Sequence, residues 1–223
     1  MQQVCKIFSF FGPPGSGKGT LARQCKALGL KLLSTGDLCR KHVALADEIG
    51  KMLDGYLRQG KLIPDALMGE MVQAWILQET QTDGAIILDG FPRTKTQADD
   101  FLKFLKNKLS ECEFEVIVFM IPDEDIVQRL SLRLVCGNPE CQEVYNTTSK
   151  RPLKSDACDK CQKSLSKRND DSSEVILERL RLFPSYRDDL MAFYKNNGCM
   201  VKEFKVANLS VDQVFENFKE FLD

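Results

Sequence analysis

The sequence is short of several things, and each shortage excludes a class of protein. No apolar run approaches the ~18 residues of a membrane-spanning helix. The longest apolar stretches, Ile7 to Phe11 and Val116 to Ile121, have the length of buried strands. Neither sign of charge is in excess: 31 Lys and Arg face 32 Asp and Glu, giving a net charge of -1 and a pI near 6.0. The basic footprint of a nucleic-acid binder is therefore missing, and any anion site must be local. There is one histidine, His42, in a predicted surface helix, and its simplest role is structural. The opening MQQVCKIFSFFG lacks a basic segment followed by a small-residue cleavage site, so the expected location is the cytoplasm, with no membrane partner.

What is present is ordinary globular usage. The chain has 223 residues, 43% hydrophobic and 28% charged, enough for one main core with a small insert. Nine cysteines without a secretion signal read as thiols or metal ligands rather than a disulfide framework, and nine cannot all pair within one chain. Cys5, Cys25, Cys39, Cys112 and Cys199 stand singly among apolar residues.

Periodicity alternates strand with helix. The run VCKIFSFF ends in Gly-Pro-Pro-Gly, after which KGTLARQCKAL has helical spacing. AIILD at 85–89 and EVIVFMI at 115–121 read as strands, followed by helices over 94–109 and 123–135. LKLLS and MVKEFKV supply two more strands. The last helix opens at Ser210 with Gln213 three residues on, as in a capping box. Five buried strands alternating with helices predict an α/β fold with a parallel sheet covered on both faces. Two segments break the repeat. Residues 36 to about 80 read as consecutive helices, with a stop at Gly60 and a start at Pro64-Asp65. Residues 136–168 are polar and turn-rich; Val144, Tyr145, Leu153 and Leu165 are too few to close a core unaided.

Gly12-Pro13-Pro14-Gly15-Ser16-Gly17-Lys18-Gly19-Thr20 lies between a predicted strand and a predicted helix, the setting of a phosphate-cradling loop. Glycines let successive N–H groups face phosphate oxygens, the helix N-terminus adds its positive end, and Lys18 supplies a point charge. Gly19 follows Lys18, and the hydroxyl arrives one residue late at Thr20, which argues against a hydroxyl bound directly to Mg²⁺. Asp89-Gly90-Phe91-Pro92-Arg93 leaves the strand AIILD at the carboxyl end of the sheet. There Asp89 can orient Mg²⁺ through water and Arg93 can fork onto a phosphate. Arg129 and Arg133, four apart on the predicted helix 123–135, would repel unless an anion lay between them.

Four cysteines are clustered. Four residues separate Cys136 from Cys141, two separate Cys158 from Cys161, and sixteen lie between the pairs, which fits a tetrahedral Cys₄ zinc site. Four thiolates leave no open position, so such a zinc is structural, and it explains how so polar a segment folds.

The segments GPPGSGKGT, STGDLCR at 34–40, DGFPRTKTQ at 89–97 and KRNDD at 167–171, in order along nearly the whole chain, resemble the motif set of the adenylate kinases, nucleoside monophosphate kinases of the long-lid form. The resemblance implies a P-loop core (1–33, 64–131, 171–223), a monophosphate-binding insert (34–63) and a zinc-bearing lid (132–170). It implies transfer from Mg·ATP to AMP, giving two ADP, in a monomer without nucleic acid. For ATP it implies Gly15, Ser16, Gly17, Lys18, Gly19 and Thr20, with Arg129 against the adenine, Arg133 on the phosphates, and Val144, Tyr145 and Ser210 at the pocket's edge. For AMP it implies Thr35, Gly36, Arg40, main-chain groups of Lys61, Leu62 and Ile63, then Gly90, Phe91, Pro92 and Arg93, with Gln97 reading the adenine edge. Arg168 and Arg179 would close on both phosphate chains, and Lys18, Arg93, Arg133, Arg168 and Arg179 form the catalytic set. Asp170 and Asp171 would belong to the lid hinge; Asp171 with Glu174 also resembles a helix cap. Zinc-bearing lids in this family usually have a two-residue gap in both cysteine pairs, so the longer first gap is a departure. The alternatives are a kinase with another donor or acceptor (GTP, UMP or CMP) and a P-loop protein whose zinc ribbon binds nucleic acid.

Overall fold

The computed structural model describes residues 5–79, 84–168 and 171–222. Strand β1 (Lys6–Phe11) leads through the glycine-rich loop into helix α1 (Lys18–Ala27), then β2 (Lys31–Ser34). Three helices follow, α2 (Thr35–Leu45), α3 (Glu48–Arg58) and α4 (Asp65–Glu79), before β3 (Ile86–Asp89). The chain continues through α5 (Lys95–Lys108), β4 (Glu113–Met120) and α6 (Asp123–Ser131) into three short strands, β5 (Arg133–Cys136), β6 (Val144–Asn146) and β7 (Leu165–Ser166). It closes with α7 (Ser173–Asn196), β8 (Met200–Lys205) and α8 (Val211–Lys219).

The predicted parallel sheet is present, with strand order β2-β3-β1-β4-β8. β1 is central and buried from Ile7 onward because helices cover both faces. One face packs Ile7, Ile86 and Leu88 against the helical insert and α5; the other packs Phe8, Phe10, Ile117 and Phe119 against α1 and α8. The chain leaves β1 for one edge, returns through β3, and crosses to the other side at β4. The loops after β1 and β3 therefore face the same crevice at the carboxyl ends of the strands. The capping box at Ser210 and Gln213 is formed and starts α8.

Three local expectations are corrected. The helix expected over 123–135 ends at Ser131, and Arg133 opens β5 instead. There Leu134 and Val135 need extended backbone to pair with Tyr145 and Val144 on β6. Arg129 and Arg133 are consequently not rungs of one helix face. The cap of α7 is Ser172, whose hydroxyl accepts from the Val175 N–H at 3.3 Å, rather than Asp171, whose carboxylate is engaged elsewhere. Finally, Cys5 and Cys112 are joined by a disulfide and are not single thiols. β1 and β4 are parallel neighbours with Lys6 opposite Glu113, so the residues just before them meet across 107 residues of chain. Spacing alone carries no sign of that pairing.

The polar segment forms its own three-stranded antiparallel sheet, ordered β6-β5-β7. Its core is Cys136, Cys158 and Tyr145, with Leu134, Leu165, Cys141 and Cys161 packed around them. Leu153, one of its few apolar side chains, is 90% exposed and contributes nothing. The small core therefore rests on the cysteines.

Candidate active site

The turn from β1 into α1 runs through Gly12, Gly15 and Gly17, all with positive φ. At Gly15 a β-carbon would sit 2.9 Å from Leu130 Cγ, and at Gly12 it would sit 2.9 Å from Phe119 Cβ. No other residue fits that turn. Lys18, the first residue of α1, folds back over the loop and donates to the carbonyls of Gly12 (2.8 Å) and Pro13 (2.7 Å) and to Ser16 Oγ (3.0 Å). Burial lowers its pKa to about 7; Asp89 acts the other way, while Arg93, Arg179 and Arg133 add to the depression. The structure also explains why Gly19 follows Lys18: a β-carbon there would lie 3.1 Å from Asp89 Oδ2. The loop and the acid that ends β3 lie against each other.

This low Lys18 value makes a prediction. A bound polyphosphate adds negative charge beside the ammonium and raises its pKa, so its binding takes up a proton wherever the free lysine is neutral. Uptake should be small at about pH 6 and approach one proton per site at about pH 8. Calorimetric titration in buffers of different ionisation heat reads this directly. The same pH-dependent uptake in the Lys18→Met variant as in the wild type would show that Lys18 is not the group that takes up the proton.

From Asp89 the chain turns at Gly90 (φ 81°), where Arg93 Nε donates to the Gly90 carbonyl at 2.6 Å. The guanidinium lies so close that a β-carbon at Gly90 would be 2.5 Å from Nη2. Thr35 Oγ1 is 3.2 Å from the carbonyls of both Asp89 and Gly90, and Ser34 Oγ is 3.2 Å from Asp89 Oδ2, so the start of α2 braces this turn. Phe91 and Pro92 do not line the cavity. Phe91 is buried against Phe101, and its carbonyl accepts from Ser9 Oγ at 2.7 Å. Gln97 is buried; its Oε1 accepts from the Arg93 N–H at 2.8 Å and its Nε2 donates to Asp65 Oδ1 at 2.9 Å. One N–H and one lone pair of the amide remain for a ligand.

These elements surround one cavity of about 590 Å³. Its lining takes in Gly15 to Thr20, Thr35, Gly36, Arg40, Lys61 to Ile63, Asp89, Gly90, Arg93 and Gln97. It also takes in Arg129, Arg133, Val144, Tyr145, Arg168, Arg179 and Ser210. Gly60 (φ 67°) lets the α3–α4 turn approach α7, where a β-carbon would lie 3.2 Å from Arg179 Cγ. Asp171, its side chain fully buried, grips Arg133 with both oxygens, Nε to Oδ2 at 2.7 Å and Nη2 to Oδ1. Asp170 lies outside the described residues. Arg129 is held by a bond from Nη2 to the Val206 carbonyl at 3.4 Å, and burial lowers its pKa.

Asp37 is the residue the motif reading passed over. It is the third residue of α2, and the Ser34 cap accepts from its N–H. Its carboxylate meets Arg23 at 2.5 Å, Arg168 at 3.6 Å, and Arg40. Burial alone would raise this carboxyl, but Arg23, Arg40 and Arg168 outweigh it and hold the pKa at about 2. An acid at the third helical position after a Ser cap, with Arg40 three residues on, was the available signal; Arg23 and Arg168 are remote in sequence.

The Sγ atoms of Cys136, Cys141, Cys158 and Cys161 all lie within 4.8 Å of one another. Cys136 is 3.3 Å from Cys161, and Cys141 is 3.8 Å from Cys158. Zinc–sulfur bonds of about 2.3 Å in a tetrahedron place sulfurs about 3.8 Å apart, so the residues present fit the metal. The Tyr145 hydroxyl lies 3.5 Å from Cys158 Sγ and accepts from the Asp159 N–H at 2.8 Å. Tyr145 thus lines the cavity while its hydroxyl sits at the sulfur cluster.

Comparison with known proteins adds an independent line. Residues 10–199 match the sequence model of the family described as adenylate kinase. The chain is 37% identical to the adenylate kinase of Archaeoglobus fulgidus over 219 residues, covering 94% of this chain and 98% of the relative. It is 37% identical to that of Thermotoga petrophila over 193 residues, 86% of each chain. With the adenylate kinase of Clostridium tetani it shares 34% identity over 95% of both chains.

Proposed function

Because the chain belongs to the adenylate kinase family, we propose that this cleft transfers the γ-phosphoryl group of Mg·ATP to AMP, reversibly, giving two ADP. The observation that carries the reading is the convergence of Lys18, Arg93, Arg133, Arg168 and Arg179 on one cavity between the glycine-rich loop and the helical insert. The acceptor is a phosphate oxygen already ionised at neutral pH, so no general base is required. The work is to align two polyanions, neutralise the charge that spreads over the moving group, and exclude water.

The N–H groups of Gly15 to Thr20, at the positive end of α1, cradle the donor phosphates, and Lys18 leaves its loop carbonyls to bridge to the transferring group. Arg133, fixed by Asp171, and Arg93, fixed by the Gly90 carbonyl, present their remaining N–H groups without reorganising. Arg168 from the end of the lid and Arg179 from α7 neutralise both phosphate chains. Asp89, with Ser34 beside it, would orient the magnesium ion through water, and that ion supplies charge neutralisation at the donor phosphates. Arg129, Val144, Tyr145 and Ser210 form the donor base pocket. Thr35, Gly36, Arg40, Lys61 to Ile63, Gly90 and Arg93 hold the monophosphate, with Gln97 reading its adenine. Cys136, Cys141, Cys158 and Cys161 would hold a zinc ion that organises the lid, over roughly 132–170, and leaves no position for chemistry. Domain limits of 34–63 for the insert, 132–170 for the lid and the core elsewhere, a monomeric state and a cytoplasmic location complete the proposal. Among the described residues no helix is long and apolar enough to cross a membrane.

The nucleic-acid reading is not favoured. The segment's one aromatic, Tyr145, is buried against the sulfur cluster and offers no exposed ring for stacking. Presenting purified protein with Mg·ATP and AMP, UMP or CMP in turn should yield diphosphate selectively with AMP. Gln97→Leu should erode that preference about tenfold or more, since a buried amide that reads a donor and an acceptor is replaced by a group that pairs with neither. Unaltered acceptor preference in Gln97→Leu would remove it from adenine recognition.

A further inference from the structure

The two cysteine knuckles of the lid are built alike, and among the described residues the first of them bonds to a helix outside the lid. In each, a glutamine follows the second cysteine in the left-handed region, Gln142 at φ 45° and Gln162 at φ 59°, a conformation that non-glycine residues rarely adopt. In each, the glutamine Nε2 donates back to a carbonyl of its own knuckle, Gln142 to Pro139 at 3.0 Å and Gln162 to Asp159 at 3.4 Å. The difference is length: the first knuckle has four residues between its cysteines and the second has two. The longer one is not slack. The N–H groups of Cys141 and Gln142 both donate to the Asn138 carbonyl at 3.0 Å, and Asn138 Oδ1 accepts from the Glu140 N–H at 3.1 Å. The Asn138 N–H itself donates to Cys136 Sγ at 3.4 Å, tying the tip to the sulfur cluster.

This ordered tip reaches helix α2. Gln142 Nε2 also donates to the Asp37 main-chain carbonyl at 3.1 Å, and Glu140 pairs with Lys41 at 2.8 Å. The carboxylate of the same Asp37 gathers Arg23, Arg40 and Arg168. The lid thus grips the helical insert at the residue whose carboxylate gathers arginines from α1, α2 and the lid itself.

We propose that the lengthened knuckle Gly137–Gln142 is a latch, with Gln142 and Glu140 as positioning residues that hold the lid against α2 and so couple donor binding to AMP binding. The inference rests on the phosphotransfer reading for the identity of the two ligands. A lid closed on the donor presents Gln142 and Glu140 to α2, and an insert closed on AMP presents the Asp37 carbonyl and Lys41 in return. Each ligand then favours the arrangement the other binds, and the coupling is reciprocal. Both members of the ion pair are exposed, at 71% for Glu140 and 40% for Lys41, so their share of the coupling is screened by salt.

The test measures AMP affinity by calorimetry with and without an ATP analogue whose carbon-bridged β–γ linkage blocks transfer, on metal-replete protein at low salt. In the wild type the analogue should tighten AMP binding. Gln142→Ala and Glu140→Lys should each reduce that tightening by about three- to fivefold, the range of one hydrogen bond or one exposed ion pair. Metal content should stay unchanged. Combining Glu140→Lys with Lys41→Glu should restore it, which a merely structural knuckle would not do. Undiminished coupling in both single variants overturns the latch, as does metal loss that accompanies the lost coupling. Failure of AMP to bind the wild-type protein under any condition would instead bring down the phosphotransfer reading, and the latch with it.

Discussion

Replacing Arg93 by alanine should lower the rate of phosphoryl transfer by about 10² to 10³, the cost of removing one preorganised donor from a site of developing charge. The expectation follows from how the guanidinium is held. Its Nε is committed to the Gly90 carbonyl at 2.6 Å, and the plane lies over an α-carbon with no room for a side chain. The remaining N–H groups line the same cavity as Lys18. Nothing has to reorganise when phosphate arrives, so the loss appears in the chemical step more than in ground-state binding. Arg93→Lys keeps the charge but loses the planar fork and should fall between the two. A turnover within tenfold of wild type for Arg93→Ala would take this residue out of the reacting centre.

The second large effect is on the lid. Cys158 is fully buried, 3.8 Å from Cys141 Sγ and 3.5 Å from the Tyr145 hydroxyl. Cys158→Ser should abolish metal retention, because a tetrahedral thiolate site that loses one ligand loses most of a stabilisation of about 10 to 16 kcal/mol. Since the lid's core is little more than Cys136, Tyr145 and Cys158, residues 136–166 should then become sensitive to protease while the five-stranded core stays folded. Activity should fall with it, because Tyr145 and Arg168 both line the cavity from this side. An unchanged metal content in Cys158→Ser would remove the Cys₄ site from the account.

The parts of this molecule legible in the sequence are those governed by local rules. β1, β3 and β4 read as strands because burial on both faces makes them continuously apolar. The glycine-rich loop and the cysteine pairs read as sites because their chemistry needs several residue types at short, fixed spacing. What was not legible depends on neighbours brought together by the fold. Arg133 looks helical at four residues from Arg129, yet pairing of Leu134 and Val135 with β6 pulls it into a strand, where Asp171 holds it. Cys5 and Cys112 meet only because β1 and β4 are adjacent in parallel register. Asp37 gathers arginines from α1, α2 and the lid, and no spacing rule joins positions 23, 40 and 168. The Asp171 cap was displaced by one residue because a buried acid facing Arg133 cannot also cap a helix. Ser172 does that instead.

Direct transfer between two nucleotides in one cleft leaves a signature in the fate of the γ-phosphate. The most direct measurement is a single turnover with ATP labelled in its γ-phosphate, enzyme in excess, and AMP present. The label should move to the terminal phosphate of the ADP made from AMP, with almost none released as inorganic phosphate while AMP is bound. Label recovered mainly as inorganic phosphate, with AMP unchanged, would contradict it.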